Sequence, residues 1–156
     1  MENIKIIFGN EKISEVVKIF AEYKAELNLD LSFQPADDSA ENILKRYEEP
    51  AGKIFLATVD EKIAGCVAFH KMNFEKSCEL KRLFVKPEYR GLKLGKKLLA
   101  KAIDEAKKIG YKKIYLDTLS TLENACRLYE KFGFKKIDAY YENPLKNVVY
   151  YMLEIN

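Results

Sequence analysis

Apolar and polar positions change period several times along this chain, and each change marks an element. Asn3 to Phe8 alternates weakly and is rich in isoleucine until Gly9-Asn10 breaks it, which predicts a first strand. Ile13, Val16, Val17, Phe20, Tyr23 and Leu27 then fall at three-and-four spacing with acidic residues between them, the pattern of an amphipathic helix. After the polar stretch from Phe33 to Ser39, Asp37 or Asp38 is placed to cap a short second helix through Ile43, Leu44 and Tyr47. Two β-rich runs, Lys53 to Val59 and Lys62 to Lys71, flank Asp60-Glu61 as a hairpin, and Cys78 to Val85 continues the antiparallel sheet.

Lys86 to Gly91 interrupts that pattern before Leu94, Leu98, Leu99, Ala102, Ile103 and Ala106 draw an apolar helical stripe that closes at Gly110. A strand from Lys113 to Leu116 follows. Ser120 or Thr121 is placed to cap a helix carrying Ala125, Leu128, Tyr129 and Phe132, and strands Phe134 to Ala139 and Val148 to Leu153 end the chain. Strand, two helices, three strands, helix, strand, helix, two strands is the order of an α/β sandwich with a mixed sheet. The crossover around residues 85 to 113 should be right-handed and join parallel neighbours.

Composition narrows the class. With 156 residues, 48% of them hydrophobic, the chain has room for one domain and enough apolar surface to bury a core. No apolar run approaches the roughly eighteen residues that cross a bilayer, and the start lacks the blocks of a signal peptide, so no membrane role and a cytoplasmic location are expected. Cys66, Cys78 and Cys126 form no CxxC pair and read as free thiols. With His70 as the only histidine, a histidine-rich metal site or a Ser-His-Asp triad is hard to build, and no metal is expected. Residues 81 to 113 hold twelve Lys/Arg against three Asp/Glu, while residues 1 to 50 hold six against eleven. A basic block of that kind meets a polyphosphate or nucleic acid, or simply solvates a helix.

The strand ending at Val85 runs into a helix whose first turn contains Arg90-Gly91-Leu92-Lys93-Leu94-Gly95. A helix N-terminus leaves backbone N–H groups unpaired and carries about half a positive charge, so a glycine-bearing turn there can wrap a pyrophosphate. Arg90, Lys93, Lys96 and Lys97 add full charges. A P-loop would need GxxxxGK followed by Ser or Thr, and a dinucleotide turn GxGxxG; neither is present.

The segment Glu79-Leu-Lys-Arg-Leu-Phe-Val-Lys-Pro-Glu-Tyr-Arg-Gly-Leu-Lys-Leu-Gly-Lys-Lys-Leu-Leu and the downstream Ala125-Cys-Arg-Leu-Tyr-Glu-Lys-Phe-Gly-Phe resemble the GNAT superfamily of N-acetyltransferases. The first matches its R/Q-x-x-G-x-G/A coenzyme A signature, and the second its A-x-x-L-Y-E-K-x-G-F helix-to-strand signature. The resemblance implies a three-layer α/β fold over residues 1 to 156, with about four helices. Its mixed, mainly antiparallel sheet would have about six to seven strands, splayed in the middle. Acetyl-CoA is implied as co-substrate. Backbone groups of Leu83 and Val85 would hold the pantetheine arm, and amides from Arg90 through Gly91, Leu92, Lys93, Leu94, Gly95 and Lys96 the pyrophosphate. Two positions depart from the pattern: Lys93 stands at the first glycine, leaving its N–H available for phosphate, and Leu122 stands where many members carry an asparagine.

The resemblance also implies roles. Glu79 would be the general base, its structural alternative being an ion pair with Lys81 two residues along. Tyr129 would hydrogen-bond or protonate the departing thiolate, its alternative being a core tyrosine. The N–H of Phe84 or Val85 would meet the carbonyl oxygen of the tetrahedral intermediate. Phe33, Gln34, Tyr140, Tyr141 and Asn143 would form the acceptor site for a small-molecule or peptide amine. Asp117 either lines that pocket or pairs with Arg82, and the ion pair is favoured because Arg82 in a core strand needs a partner. A non-catalytic acyl-CoA sensor and a basic nucleic-acid module are the rival readings; the basic helix lacks an aromatic platform for the latter. A homodimer stays open.

Overall fold

The computed structural model describes residues 2–35 and 37–155. Its elements run β1 (Ile4–Phe8), α1 (Ile13–Leu27), α2 (Ala40–Arg46), β2 (Lys53–Val59), β3 (Lys62–Lys71), β4 (Ser77–Val85), α3 (Leu94–Ile109), β5 (Lys113–Leu119), α4 (Glu123–Lys131), β6 (Lys135–Ile137) and β7 (Val148–Glu154), with a 3-10 turn at Pro87–Tyr89. The seven strands form one sheet in the order β1-β2-β3-β4-β5-β7-β6, antiparallel except for the β4 and β5 pair. This is the expected order and class.

The central strands are buried on both faces, which is why β2 reads as a nearly unbroken apolar run. On one face Val16, Ile19 and Phe20 of α1 and Ile43 of α2 pack on Ile54, Leu56, Cys66, Ala68 and Phe84. On the other, Leu94, Leu98, Leu99, Ala102 and Ala106 of α3 pack on Phe55, Val67, Phe69, Leu80 and Ile114. Asp60 and Glu61 both take positive φ, as a tight right-twisting hairpin turn demands. Gly110 closes α3 in the left-handed conformation.

Both cap expectations need correction. Ser39, not Asp37 or Asp38, caps α2, its Oγ accepting from the Asn42 N–H at 3.2 Å, because the Asp37 side chain is spent on cations elsewhere. Leu122 stands at the α4 N-cap with no side-chain bond, so neither Ser120 nor Thr121 serves. The strand expected at Phe134 to Ala139 shortens to Lys135–Ile137, and β5 extends to Leu119 because β7 pairs with it along its whole length.

Candidate active site

β4 and β5 pair only at Ser77 to Glu79 against Lys113 to Tyr115, and beyond that they part. β4 also carries a bulge. Cys66 lies opposite Phe84 and Ala68 opposite Lys81, so an extra β4 residue is accommodated, and Arg82 takes φ 62°. The bulge breaks the period-two alternation, and the consecutive Lys81 and Arg82 each reach a carboxylate: Lys81 lies 3.4 Å from Asp117, and Arg82 Nε donates to Asp37 Oδ2 at 2.8 Å. The favoured Arg82–Asp117 pair is therefore not formed, and Asp117 instead lines the cavity described next.

Two adjoining hollows with shared walls lie where the strands part. The smaller, about 90 Å³, is lined by Tyr23, Gln34, Lys81, Arg82, Asp117, Tyr129 and Asn143 among others. The larger, about 700 Å³, lies between the end of β4 (Leu83, Phe84, Val85), α1 and the first turns of α3 and α4, where Gly95 and Asn124 line it. Tyr23, Leu27, Leu83, Leu122 and Ala125 border both. Phe33, Tyr140 and Tyr141 line neither.

At the mouth of the larger hollow, α3 begins without a side-chain cap. The Lys93 carbonyl takes the N–H of Lys97 at 3.2 Å, which leaves the N–H groups of Leu94, Gly95 and Lys96 without intrahelical acceptors. Leu94 is buried in the core and Leu92 packs against it, so the turn offers backbone at these two positions. Gly91 has φ 93°. A Cβ on Gly95 would meet only Leu128 Cδ2 at 3.6 Å and Val85 Cγ2 at 4.0 Å, so the protein's own packing tolerates one. Arg90 bridges the cleft's rim: Nε donates to the Val85 carbonyl at 3.1 Å and Nη2 to Glu26 of α1 at 2.8 and 2.9 Å.

The carboxylates sit deeper. Glu79, 7% exposed, meets His70 Nε2 at 2.9 Å and Lys81 Nζ at 3.5 Å, and the Tyr140 hydroxyl donates to it at 2.5 Å. Burial alone would push its carboxyl up, but the His70 hydrogen bond, the Lys81 ammonium and Tyr140 outweigh it and hold it down at about 2. The other His70 nitrogen faces the Lys71 carbonyl at 2.9 Å. Asp117 accepts from Tyr141 and from Asn143 Nδ2 at 3.1 Å. Tyr140 stacks edge-on with Tyr115 and Tyr150 at 5.2 and 5.3 Å, so Tyr140 and Tyr141 form a wall behind the two carboxylates. Tyr129, 6% exposed, packs against Phe134 and Tyr151, and burial pushes its phenol up, which keeps it a neutral donor.

The residues named from sequence thus divide. Gln34, Asp117, Tyr129 and Asn143 share the small cavity; Leu83, Phe84, Val85, Arg90 and Gly95 share the larger; Glu79 stands one ion pair behind the small cavity, linked through Lys81. Lys93 and Lys96 border a shallower groove beside α4, and Phe33 lies half-buried between α1 and α2. Sequence reasoning missed Tyr23, His70 and the Arg82–Asp37 pair. The available signal was two adjacent cations, Lys81 and Arg82, in a strand that alternates polar and apolar up to that point. Among the described residues no group of three or more His, Cys, Asp or Glu is arranged to hold a metal, and no helix is long and apolar enough to cross a membrane.

Residues 15–134 match the family model described as Acetyltransferase (GNAT) family. An uncharacterized N-acetyltransferase of Schizosaccharomyces pombe is 43% identical over 147 residues, covering 94% of this chain and 90% of that protein. A GNAT-family acetyltransferase crystal structure from Staphylococcus aureus is 29% identical with a TM-score of 0.76, covering 99% of this chain and 100% of that one. The fold is shared with the PaiA N-acetyltransferase of Thermoplasma acidophilum, solved with coenzyme A (TM-score 0.75, 21% identity, 98% and 99% coverage).

Proposed function

The chain belongs to the GNAT acetyltransferase family and is an acetyl-CoA-dependent acyltransferase, and on that premise we propose that residues 1–156 act as one domain that moves acetyl to a primary amine by direct attack within a ternary complex. The observation that supports this reading is a pair of adjoining hollows where β4 parts from β5, one reaching Gly95 at the uncapped start of α3 and the other lined by both Asp117 and Tyr129. The free amides of Leu94, Gly95 and Lys96 would take the pyrophosphate, and the open edge of β4 at Leu83 to Val85 the pantetheine arm. The N–H of Phe84 or Val85 would serve the oxyanion.

An alkylamine of pKa about 10.4 is protonated at pH 7, and freeing its lone pair costs about 4 to 5 kcal/mol there. Glu79, Lys81 and Asp117 form an array of two carboxylates about one ammonium, which favours an incoming cation and takes up its proton. Asp117, which lines the cavity, is the group that meets the amine. Glu79, held at about 2 and set behind Lys81, keeps the array anionic and acts through it rather than on the amine directly. Tyr129 would donate a hydrogen bond to the departing sulfur. Full proton transfer from a phenol near 10 to a thiolate near 8.5 is uphill by about 2 kcal/mol in water, and burial raises the Tyr129 phenol as well as the thiol, so a hydrogen bond is the role it supports. Because the thioester is already activated, juxtaposition supplies much of the acceleration and no acyl-enzyme is needed.

Thiol release across an amine panel tests this. On the best acceptor, Asp117→Asn should lower kcat/KM by about 100-fold or more. Tyr129→Phe should lower kcat by about 10-fold or more while coenzyme A affinity holds. Wild-type rates in both variants would sink the assignment.

A further inference from the structure

We propose that the acceptor is a small amino acid, its carboxylate docking on Arg82 while its ammonium meets Asp117; this rests on the acetyl-transfer reading above. Arg82 is 5% exposed yet lines the small cavity, aimed there by the β4 bulge. A guanidinium has five N–H groups. Nε donates to Asp37 and Nη2 to Gln34 Oε1 at 3.0 Å, and the remaining N–H groups have no other hydrogen-bond partner among the described residues. Asp37 does not neutralise Arg82 alone, because Lys24 contacts it and Arg46 lies 3.9 Å away. Three cations therefore share one buried carboxylate at this end of the cavity.

The other end has the opposite imbalance, with Lys81 between Glu79 and Asp117. The cavity thus presents excess positive charge at Arg82 and excess negative charge at Asp117. A charge removed from water must be matched by its surroundings, and a zwitterion with amine and carboxylate a few bonds apart matches both ends at once. The planar fork of arginine suits a carboxylate in particular. A plain alkylamine leaves the Arg82 end unmatched, and a polyamine sets a second cation against it. The volume of about 90 Å³ favours a small side chain.

Glycine and alanine would be compared with their carboxamides and with the matching amines lacking a carboxylate, by turnover and by melting temperature of the coenzyme A-loaded protein. The amino acids should be acetylated with kcat/KM about 100-fold or more above the amides, and they alone should raise the melting temperature. Gln34→Glu places a built-in carboxylate against Arg82 without orphaning Asp37. It should raise KM for the amino acid about 10-fold or more with kcat retained. Equal turnover of amines lacking a carboxylate would overturn this inference and leave acetyl transfer standing. A melting shift specific to amino acids, without product, would overturn the acceptor role and count against transfer, leaving only a carboxylate site at Arg82. No shift with any amino acid would overturn it.

Discussion

Lys93 holds a left-handed backbone (φ 61°, ψ 29°) that a glycine would hold without strain. The conformation costs a lysine roughly 1 to 2 kcal/mol, yet it keeps the next three amides pointed out of the helix start. The departure from the glycine signature is thus one of side chain and strain, while the turn keeps its shape. Gly95 poses the complementary case, since the protein leaves room above it. Gly95→Ala, which the signature admits, should raise stability by about 0.5 kcal/mol, as expected of alanine in a helix, whereas Gly95→Val sets a larger side chain beside the amides and should weaken coenzyme A binding about 10-fold or more. Unchanged affinity in a titration would mean that the pyrophosphate lies elsewhere. At this scale sequence and structure agree best where backbone decides the matter. The partner of Arg82 was not legible, because alternation carries no sign that a bulge lies at position 82, and Asp37 is 45 residues away.

Elements were read well from periodicity, because most of them are long enough to repeat their pattern. Their ends were not. Asp37 has the right chemistry for a cap and sits two residues before Ser39, but only the fold shows that cations claim it. The segment between β6 and β7 carries no period, so Tyr140, Tyr141 and Asn143 could be placed near the acceptor only by resemblance; their grip on Glu79 and Asp117 comes from tertiary packing. Between elements, the Arg90–Glu26 pair ties α1 to the start of α3 across the larger hollow. It is half exposed, so its worth to stability is small. Its effect on binding should be larger. Glu26→Gln frees Arg90 for phosphate and removes a carboxylate from the rim, and should tighten coenzyme A binding about threefold or more at low salt, fading at high salt. A loss of affinity would show that Arg90 must stay tethered to work.

The molecule as a whole carries its buried charges between two apolar layers, and acid should find them. The Glu79 and Asp37 carboxyls are both held below their ordinary values, although burial pushes each the other way. Such groups contribute stability that is fully present above their unfolded value near 4 and lost as pH falls toward the folded one. Melting temperature should therefore stay level from pH 7 to about 5 and drop between about 4.5 and 2. Glu79→Gln should flatten part of that drop, and an unchanged acid profile in this variant would place the sensitivity elsewhere. The seven-stranded sheet is also two smaller sheets stitched by three residue pairs. Beyond those pairs the seam opens, although the core beneath α3 runs under both halves, from Phe55 and Phe69 to Ile114 and Leu153. Among descendants of one ancestor, a few substitutions along that seam would change which acceptor is admitted while both hydrophobic layers stay intact. Diversity of substrate then comes cheaply to a fold that changes little.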